Sequence, residues 1–539
     1  MARTLRRMNR LGAAPLALLW ALPLLLSLAM LLPAASDGAA WHMALAHPQL
    51  WPALALSLAT GAVSTLIALA ISLLLIGGLS RSAMWNRLQA VAATGLAIPH
   101  LAFAIGFGFL IMPSGLIARL FVGGDAPPYW VSVQDPWGVA LTLALALKEV
   151  PFLLTAGFAV LSRGDAAARL RAEARTAASL GHAPGSAFLR VVLPPLMKEL
   201  RWPLVIVFVY GATVVDMALV LGPTQPPTLA VVIWHALNNA EPMTNGMGLV
   251  MTLLLTGALA IVLAAVALLK RAGRNATHRM LTAGPSLLQR PRATALVIGL
   301  AVTAMLALAL LVLVLLSLAP RWPYPALLPA AVDASAWMAV SPAPLWLSLL
   351  LALAATAVAV ASTVLWFETQ DRNRDRWVIG LALVALALPQ LASAGGQYRL
   401  LLPLGLTGTL FGLFLAHLTP VAAYVLIVLA GPYRAFDGRY IAAARALAAS
   451  QLSAWARVKL PLLKAPLLIA AAIGFAVSIA QFVPAQLIAA GRFSTLPMEA
   501  VTLASGGNRP LTAAFALALT VPPLVAFLAA ALLGRPRWR

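Results

Sequence analysis

The sequence predicts an all-α, polytopic membrane protein of about twelve transmembrane helices arranged as two parallel six-helix repeats. Three observations carry that prediction. The 539-residue chain is 62% hydrophobic and 10% charged, against roughly 45–50% and 25% for soluble globular chains. Apolar stretches recur at about the 20 residues needed to cross a bilayer. Motifs of the first half return in the same order in the second.

The spans are expected at about 12–33, 52–78, 88–112, 138–161, 202–221 and 247–269, then at about 293–319, 345–367, 377–394, 408–430, 465–489 and 512–533. The third and ninth are the least regular, because glycine and proline interrupt them. The opening RTLRRMNR before an apolar run has the look of a signal peptide. Its apolar run of ~20 residues is longer than the usual 7–15 of a cleavable segment, so a retained first helix is expected.

The net charge of +22 is a topology marker. With the amino terminus in the cytoplasm and the chain alternating, the cytoplasmic segments hold 31 of the 37 Lys and Arg residues. Arg3, Arg6, Arg7 and Arg10 lie at the start, and Arg535, Arg537 and Arg539 at the end. Only Arg119, Lys148, Arg321, Arg399, Arg492 and Arg509 fall elsewhere. This positive-inside bias places both termini inside and removes the case for nucleic acid as a partner. The chain has no cysteine, which excludes disulfides, cysteine zinc sites and thiol catalysis.

The duplication is specific. Residues 96–106, LAIPHLAFAIG, match residues 386–396, LALPQLASAGG, at seven of eleven positions. Thr228-Leu229 returns as Thr495-Leu496, 267 residues on. The chain therefore divides into a first half 1–269, a linker 270–292 and a second half 293–539. Six spans per half make the repeats parallel, since inverted repeats need an odd number. The first half is longer by about 23 residues, which fit the outer loop 123–138. Pro99 and Pro389 stand in glycine-bearing spans, where they serve either as hinges or in close packing of small residues.

A polar island follows the fourth span of each half. Residues 172–200 read AEARTAASLGHAPGSAFLRVVLPPLMKEL, and residues 441–468 read IAAARALAASQLSAWARVKLPLLKAPLL. In the first, strong helix formers with Leu170, Ala174, Ala177 and Ala178 near one face run up to Gly181, a usual helix end. Ala183-Pro184 opens a second short helix, and Pro194-Pro195 are expected to stop regular structure before the fifth span. A helix–glycine–helix lying across the inner surface is the expected result.

These loops resemble the EAA loop of the permease subunits of binding-protein-dependent (type I) ABC importers, in which the loop forms a coupling helix seated in a cleft of a cytoplasmic ATPase subunit. Carried over residue by residue, the family glycine falls on Gly181, the aromatic on Phe188 and the Leu-Pro step on Leu193-Pro194. In the second half the aromatic is Trp455 and the step is Leu460-Pro461. The family glutamate falls on Arg175, with Glu173 two residues earlier. In the second half it falls on Ala442, three residues before Arg445, and the glycine falls on Ala448. The second loop thus has a weaker break and no acid, and docking by shape is expected there. The fused double permease is similar to the single-chain transport subunits of ferric-iron, thiamine and related importers. The resemblance implies two copies of an ABC ATPase inside, one periplasmic substrate-binding protein outside, and a bacterial inner-membrane location. No lysine follows a glycine anywhere, so the Gly-Lys phosphate loop is missing. This chain is expected to bind no cofactor and no metal, with ATP held by the partner, and to catalyse no reaction.

Lys148, Glu149 and Asp216 fall inside spans, where ionisable groups usually face protein or water and find partners. Lys148 and Asp216 each lie 15 residues from an inner flank, Arg163 and Arg201, or about 22 Å along a helix. They are expected to be level and to form an ion pair. Glu149 would then carry the remaining negative charge, which suits a cation if it faces the pathway. His417 and Gln481 hold the corresponding points of the second half, and a lone His there reads as a helix-packing hydrogen bonder. An ion-coupled secondary transporter, also two parallel six-span halves, is the alternative function. It leaves the duplicated polar loops unexplained. The spans offer too few converging nucleophiles or acids for a membrane enzyme.

Overall fold

A computed structural model describes residues 12–80, 82–122, 124–162, 164–273, 275, 288–447 and 450–534. Both terminal arginine clusters and most of the expected linker lie outside the described residues. Every regular element among them is helical. Among the described residues nine helices are long and apolar enough to cross a membrane, or up to eleven if each of two bent pairs is one span.

The three short of twelve are the fifth span of the first half and the third and fifth of the second. The third and fifth spans of both halves are built from two helices. Trp85–Ala97 gives way to His100–Ile111 at Ile98-Pro99, and Arg372–Ala387 to Gln390–Leu401 at Leu388-Pro389. The latter pair bends by 103°. Proline pushes its predecessor out of the helical region, and Ile98 and Leu388 accordingly have extended ψ values of 123° and 145°. Arg201–Thr213 likewise stops before Asp216–Leu221, and Lys464–Ile479 before Val483–Ala489.

The contacts group into two compact units, Met1–Asp37 with Trp337–Arg539, and Gly38–Ala336. These differ from the sequence halves by the first span of each. Helix Arg292–Ser317 packs on Leu50–Leu79 and His100–Ile111, inside the second of these units. Helix Leu22–Ala29 packs on Gln390–Leu401, inside the first. The repeated LAIPHLAFAIG motif explains the fit. A Cβ on Gly106 would stand 2.4 Å from the Ala309 carbonyl oxygen, and one on Gly396 2.0 Å from that of Ser27. Only bare backbone admits so close a helix. Within the motif, glycine serves packing and proline makes the break.

The repeat persists at the level of single hydrogen bonds. Ser57 Oγ accepts the backbone N–H of Leu229 at 2.9 Å, and Ser348 Oγ that of Leu496 at 2.9 Å. Each serine, on the long helix Leu50–Leu79 or Pro342–Thr369, satisfies one of the orphan donors at a helix start. Ser348 stands 291 residues after Ser57, which fixes the correspondence of those two helices.

In the Gly38–Ala336 unit the loop that lengthens the first half is tied down. Asp135 accepts the backbone N–H groups of Trp137, Val139 and Ala140, at 3.1, 2.9 and 2.9 Å, and so caps helix Val139–Leu161. Arg119, buried at that end, donates to the carbonyls of Ser114, Trp322, Pro323 and Ala326. A cation outside the basic flanks is thereby solvated by carbonyl dipoles.

Candidate functional site

The two polar loops fold as elbows. In the first, helix Gly164–Ser179 ends at a turn where Gly181 has φ +85° and the His182 N–H reaches back to the Ala177 carbonyl. Left-handed φ is what glycine supplies at a helix end. Ala174 and Ala177 are buried, whereas Glu173, Arg175 and Ala178 are exposed. The next helix opens at Pro184, and Phe188 is 6% exposed.

The prolines do not stop the helix as expected. Phe188–Val192 is a π-helical turn, in which the Leu193 N–H bonds the Phe188 carbonyl, and helix Leu193–Glu199 follows with its prolines in the first turn. The wider turn passes the chain into a new helical start, where proline's missing N–H is an orphan in any case. The second elbow repeats this. Trp455–Lys459 is π-helical, the Leu460 N–H bonds the Trp455 carbonyl, and Pro461 sits in the first turn of Leu460–Leu462.

The second elbow's first helix, Arg439–Ala446, is half the length of its counterpart. Asp437 accepts the backbone N–H and side-chain Nε of Arg439 at 2.9 and 2.7 Å. The Arg439 guanidinium, with that backbone N–H, holds the Asp437 carboxyl below its ordinary pKa. Arg445 is exposed. Ala448 lies outside the described residues. Ser450 caps the next helix by accepting the Ser453 N–H at 3.1 Å.

One pair of residues went unread in the sequence. Leu180 is 66% exposed and Leu447 is 85% exposed. They stand 267 residues apart, the offset of the Leu-Pro steps, each immediately before the expected break. The same apolar side chain is thus bare at the tip of both elbows. The identity was visible in the repeat, but leucine is too common in this chain to stand out.

The membrane charges arrange themselves differently from the expectation. Lys148 Nζ donates to the Gly95 carbonyl at 2.9 Å, not to Asp216. The helical ruler failed because the fifth span breaks at Val214, whose ψ is 133°. Asp216 opens a new short helix. Glu149, 6% exposed, meets His100 Nε2 at 3.1 Å. His100 in turn packs on the Tyr210 ring, centroids 4.7 Å apart. The cluster is thus His100, Lys148, Glu149 and Tyr210, gathered at the Pro99 break. His100 lay within the repeated motif, directly after its proline, and that position was the available signal. Lys148 is bonded to the Gly95 carbonyl and Glu149 to His100, so neither reaches Asp216.

In the other unit, His417 Nδ1 meets Ser478 Oγ at 2.9 Å, and the Gln481 N–H bonds the Ser478 carbonyl at 3.2 Å. Ser478 therefore links the two expected residues. Among the described residues, His417 Nε2 and Gln481 Oε1 are buried without a hydrogen-bond partner, and both residues are at most 3% exposed.

No family model matches the chain. It is 33% identical over 524 residues, 96% of each chain, to the inner membrane ABC transporter permease protein YnjC of Escherichia coli. It is 24% identical over 158 residues to the spermidine/putrescine transport system permease protein PotC of Haemophilus influenzae, which is 29% of this chain and 62% of that one. With PotC of Escherichia coli it shares 24% over 161 residues, 30% of this chain and 61% of the other.

Proposed function

This chain belongs to the ABC transporter permeases, and from that membership we propose that its two elbows are the contacts through which a separate ATPase drives transport. The chain is the membrane-spanning transport subunit of an ABC importer. In the proposed cycle two copies of a cytoplasmic ABC ATPase bind and hydrolyse ATP, and each receives one elbow. A periplasmic substrate-binding protein delivers the cargo from outside, and the chain itself holds no cofactor. The setting is a bacterial inner membrane with both termini cytoplasmic. The observation that carries this reading is the matched pair of elbows, each with a bare leucine at its tip, one after the fourth span of each half.

Glu173, Arg175 and Arg445 are exposed beside those tips and supply a charged rim. Phe188, Leu193, Pro194, Trp455, Leu460 and Pro461 belong to the turn that joins each elbow to its bundle. The pathway reading rests on His100, Lys148, Glu149 and Asp216 in one unit, and on His417, Ser478 and Gln481 in the other. All lie on broken or polar stretches of otherwise apolar spans, where discontinuous helices commonly line substrate sites. The carboxylate left over at Asp216 favours a cationic cargo, in keeping with the partial likeness to spermidine/putrescine permeases.

The cysteine-free chain offers a clean test. Single substitutions Leu180→Cys and Leu447→Cys should react with a membrane-impermeant maleimide only from the cytoplasmic face of oriented vesicles. Added ABC ATPase should slow both reactions. Labelling of either position from the periplasmic face removes the reading.

A further inference from the structure

We propose that Glu368 positions the second elbow, and that the two elbows are anchored by interchangeable chemistry, apolar in one unit and ionic in the other. The proposal rests on the reading of the elbows as force-bearing contacts.

The correspondence comes first. Ser57 and Ser348 do the same job 291 residues apart, and Glu368 stands 291 residues after Gly77. Both therefore occupy the same place near the end of the matching helices Leu50–Leu79 and Pro342–Thr369. On the elbows, Phe188 corresponds to Trp455 and Val192 to Lys459, at the 267-residue offset of the Leu-Pro steps. The first pair opens the π-helical turn of each elbow and the second pair closes it.

In the Gly38–Ala336 unit this set is Gly77, Phe188 and Val192. A Cβ on Gly77 would lie 3.0 Å from Phe188 Cε1. The ring rests on bare helix backbone, and Phe188 and Val192 line a cleft with Trp85 and Phe158. The anchor is apolar contact, and the missing side chain makes room for it.

In the other unit the same three places hold Glu368, Trp455 and Lys459. Trp455 Nε1 donates to Glu368 Oε1 at 3.1 Å, and Lys459 Nζ lies 2.6 Å from the same oxygen. The Tyr433 hydroxyl donates to it as well. Lys459 also sits 4.5 Å above the Tyr433 ring. Three donors from two segments thus converge on one carboxylate oxygen at the end of helix Pro342–Thr369. Bonds to an ionised acceptor are roughly twice as strong as neutral ones. Without Glu368, a half-buried ammonium and two donors would lose their acceptor together.

Each arrangement fixes the π turn of an elbow to the end of the same helix, so that the elbow and the bundle move as one body. The sequence departures then have a reason. The second elbow lacks the family acid on the loop itself, yet an acid from a neighbouring helix holds it.

The test transplants one anchor into the other unit. Hydrogen exchange is measured on the intact chain in lipid nanodiscs. Glu368→Gly should raise amide exchange across residues 451–463 about tenfold, the scale expected when bonds to a charged group are lost. Exchange in helix Arg292–Ser317 should stay as it was. The triple variant Glu368→Gly, Trp455→Phe, Lys459→Val rebuilds the apolar anchor and should return exchange to within about threefold of the parent, through burial in place of charge. Should Glu368→Gly not fold, Glu368→Gln keeps an acceptor without the charge and should give about a threefold rise, since neutral bonds are weaker.

No rise in the single variants overturns the proposal, as does a triple variant that exchanges as fast as Glu368→Gly. A second readout separates it from the coupling reading. The ABC ATPase that copurifies with the parent chain from native membranes should be lost with Glu368→Gly and regained with the triple. Exchange that responds as expected while ATPase retention does not change leaves the anchor standing and contradicts the coupling reading.

Discussion

Aspartate at both Leu180 and Leu447 should strip the ATPase from this permease while leaving the chain folded in the membrane. The two side chains are 66% and 85% exposed, so the folded chain alone has nothing to lose there. In the docked state each leucine would be buried in a cleft, and a carboxylate carried into such a place keeps neither its water nor a partner. About tenfold in affinity per site corresponds to about 1.4 kcal/mol. The sites belong to separate elbows, so the penalties should add to about a hundredfold in the double variant. Copurification of the ATPase and ATP-driven uptake should fall together, and membrane abundance should not. A double variant that keeps its ATPase would show that the tips are not the contact.

Glu149→Ala should be the most destabilising single truncation of the polar cluster. Lys148 is 1% exposed, and among the described residues its hydrogen bond goes to the Gly95 carbonyl. Glu149 is the carboxylate beside it, and its removal also takes the acceptor from His100. A buried charge stripped of its counter-charge costs on the order of 3 kcal/mol, so the variant should be scarce in membranes and melt early. Lys148→Met combined with Glu149→Ala removes both charges and should recover most of the abundance. Uptake by that double variant then reports on the pathway itself, free of folding. Undiminished abundance for Glu149→Ala would mean that Lys148 takes its compensation from elsewhere.

Much of the fold was legible because its signals are long-range in sequence. Apolar runs give the helices, and the motifs around Pro99 and Pro389, Thr228 and Thr495, and the two Leu-Pro steps give the repeat. Gly181 announced the turn it makes, since a left-handed φ leaves few other choices. What escaped depends on neighbours that sequence spacing does not name. The exchange of first spans hangs on Gly106 and Gly396 meeting carbonyls of residues far along the chain. The Lys148–Asp216 pair was drawn with a ruler that assumes unbroken helices, and Val214 breaks one. The π turns before Pro194 and Pro461 turned an expected stop into a continuation. Glu368 drew no expectation, because the loop it meets lies about ninety residues away (Trp455 and Lys459 at 87 and 91).

Reconstitution in liposomes tests the central claim most directly. The purified chain is compared with and without its ABC ATPase, its substrate-binding protein and internal ATP. Cargo should enter only when all three are present, and entry should stop when ATP cannot be hydrolysed. Accumulation by the chain alone on an imposed proton or sodium gradient would contradict the claim.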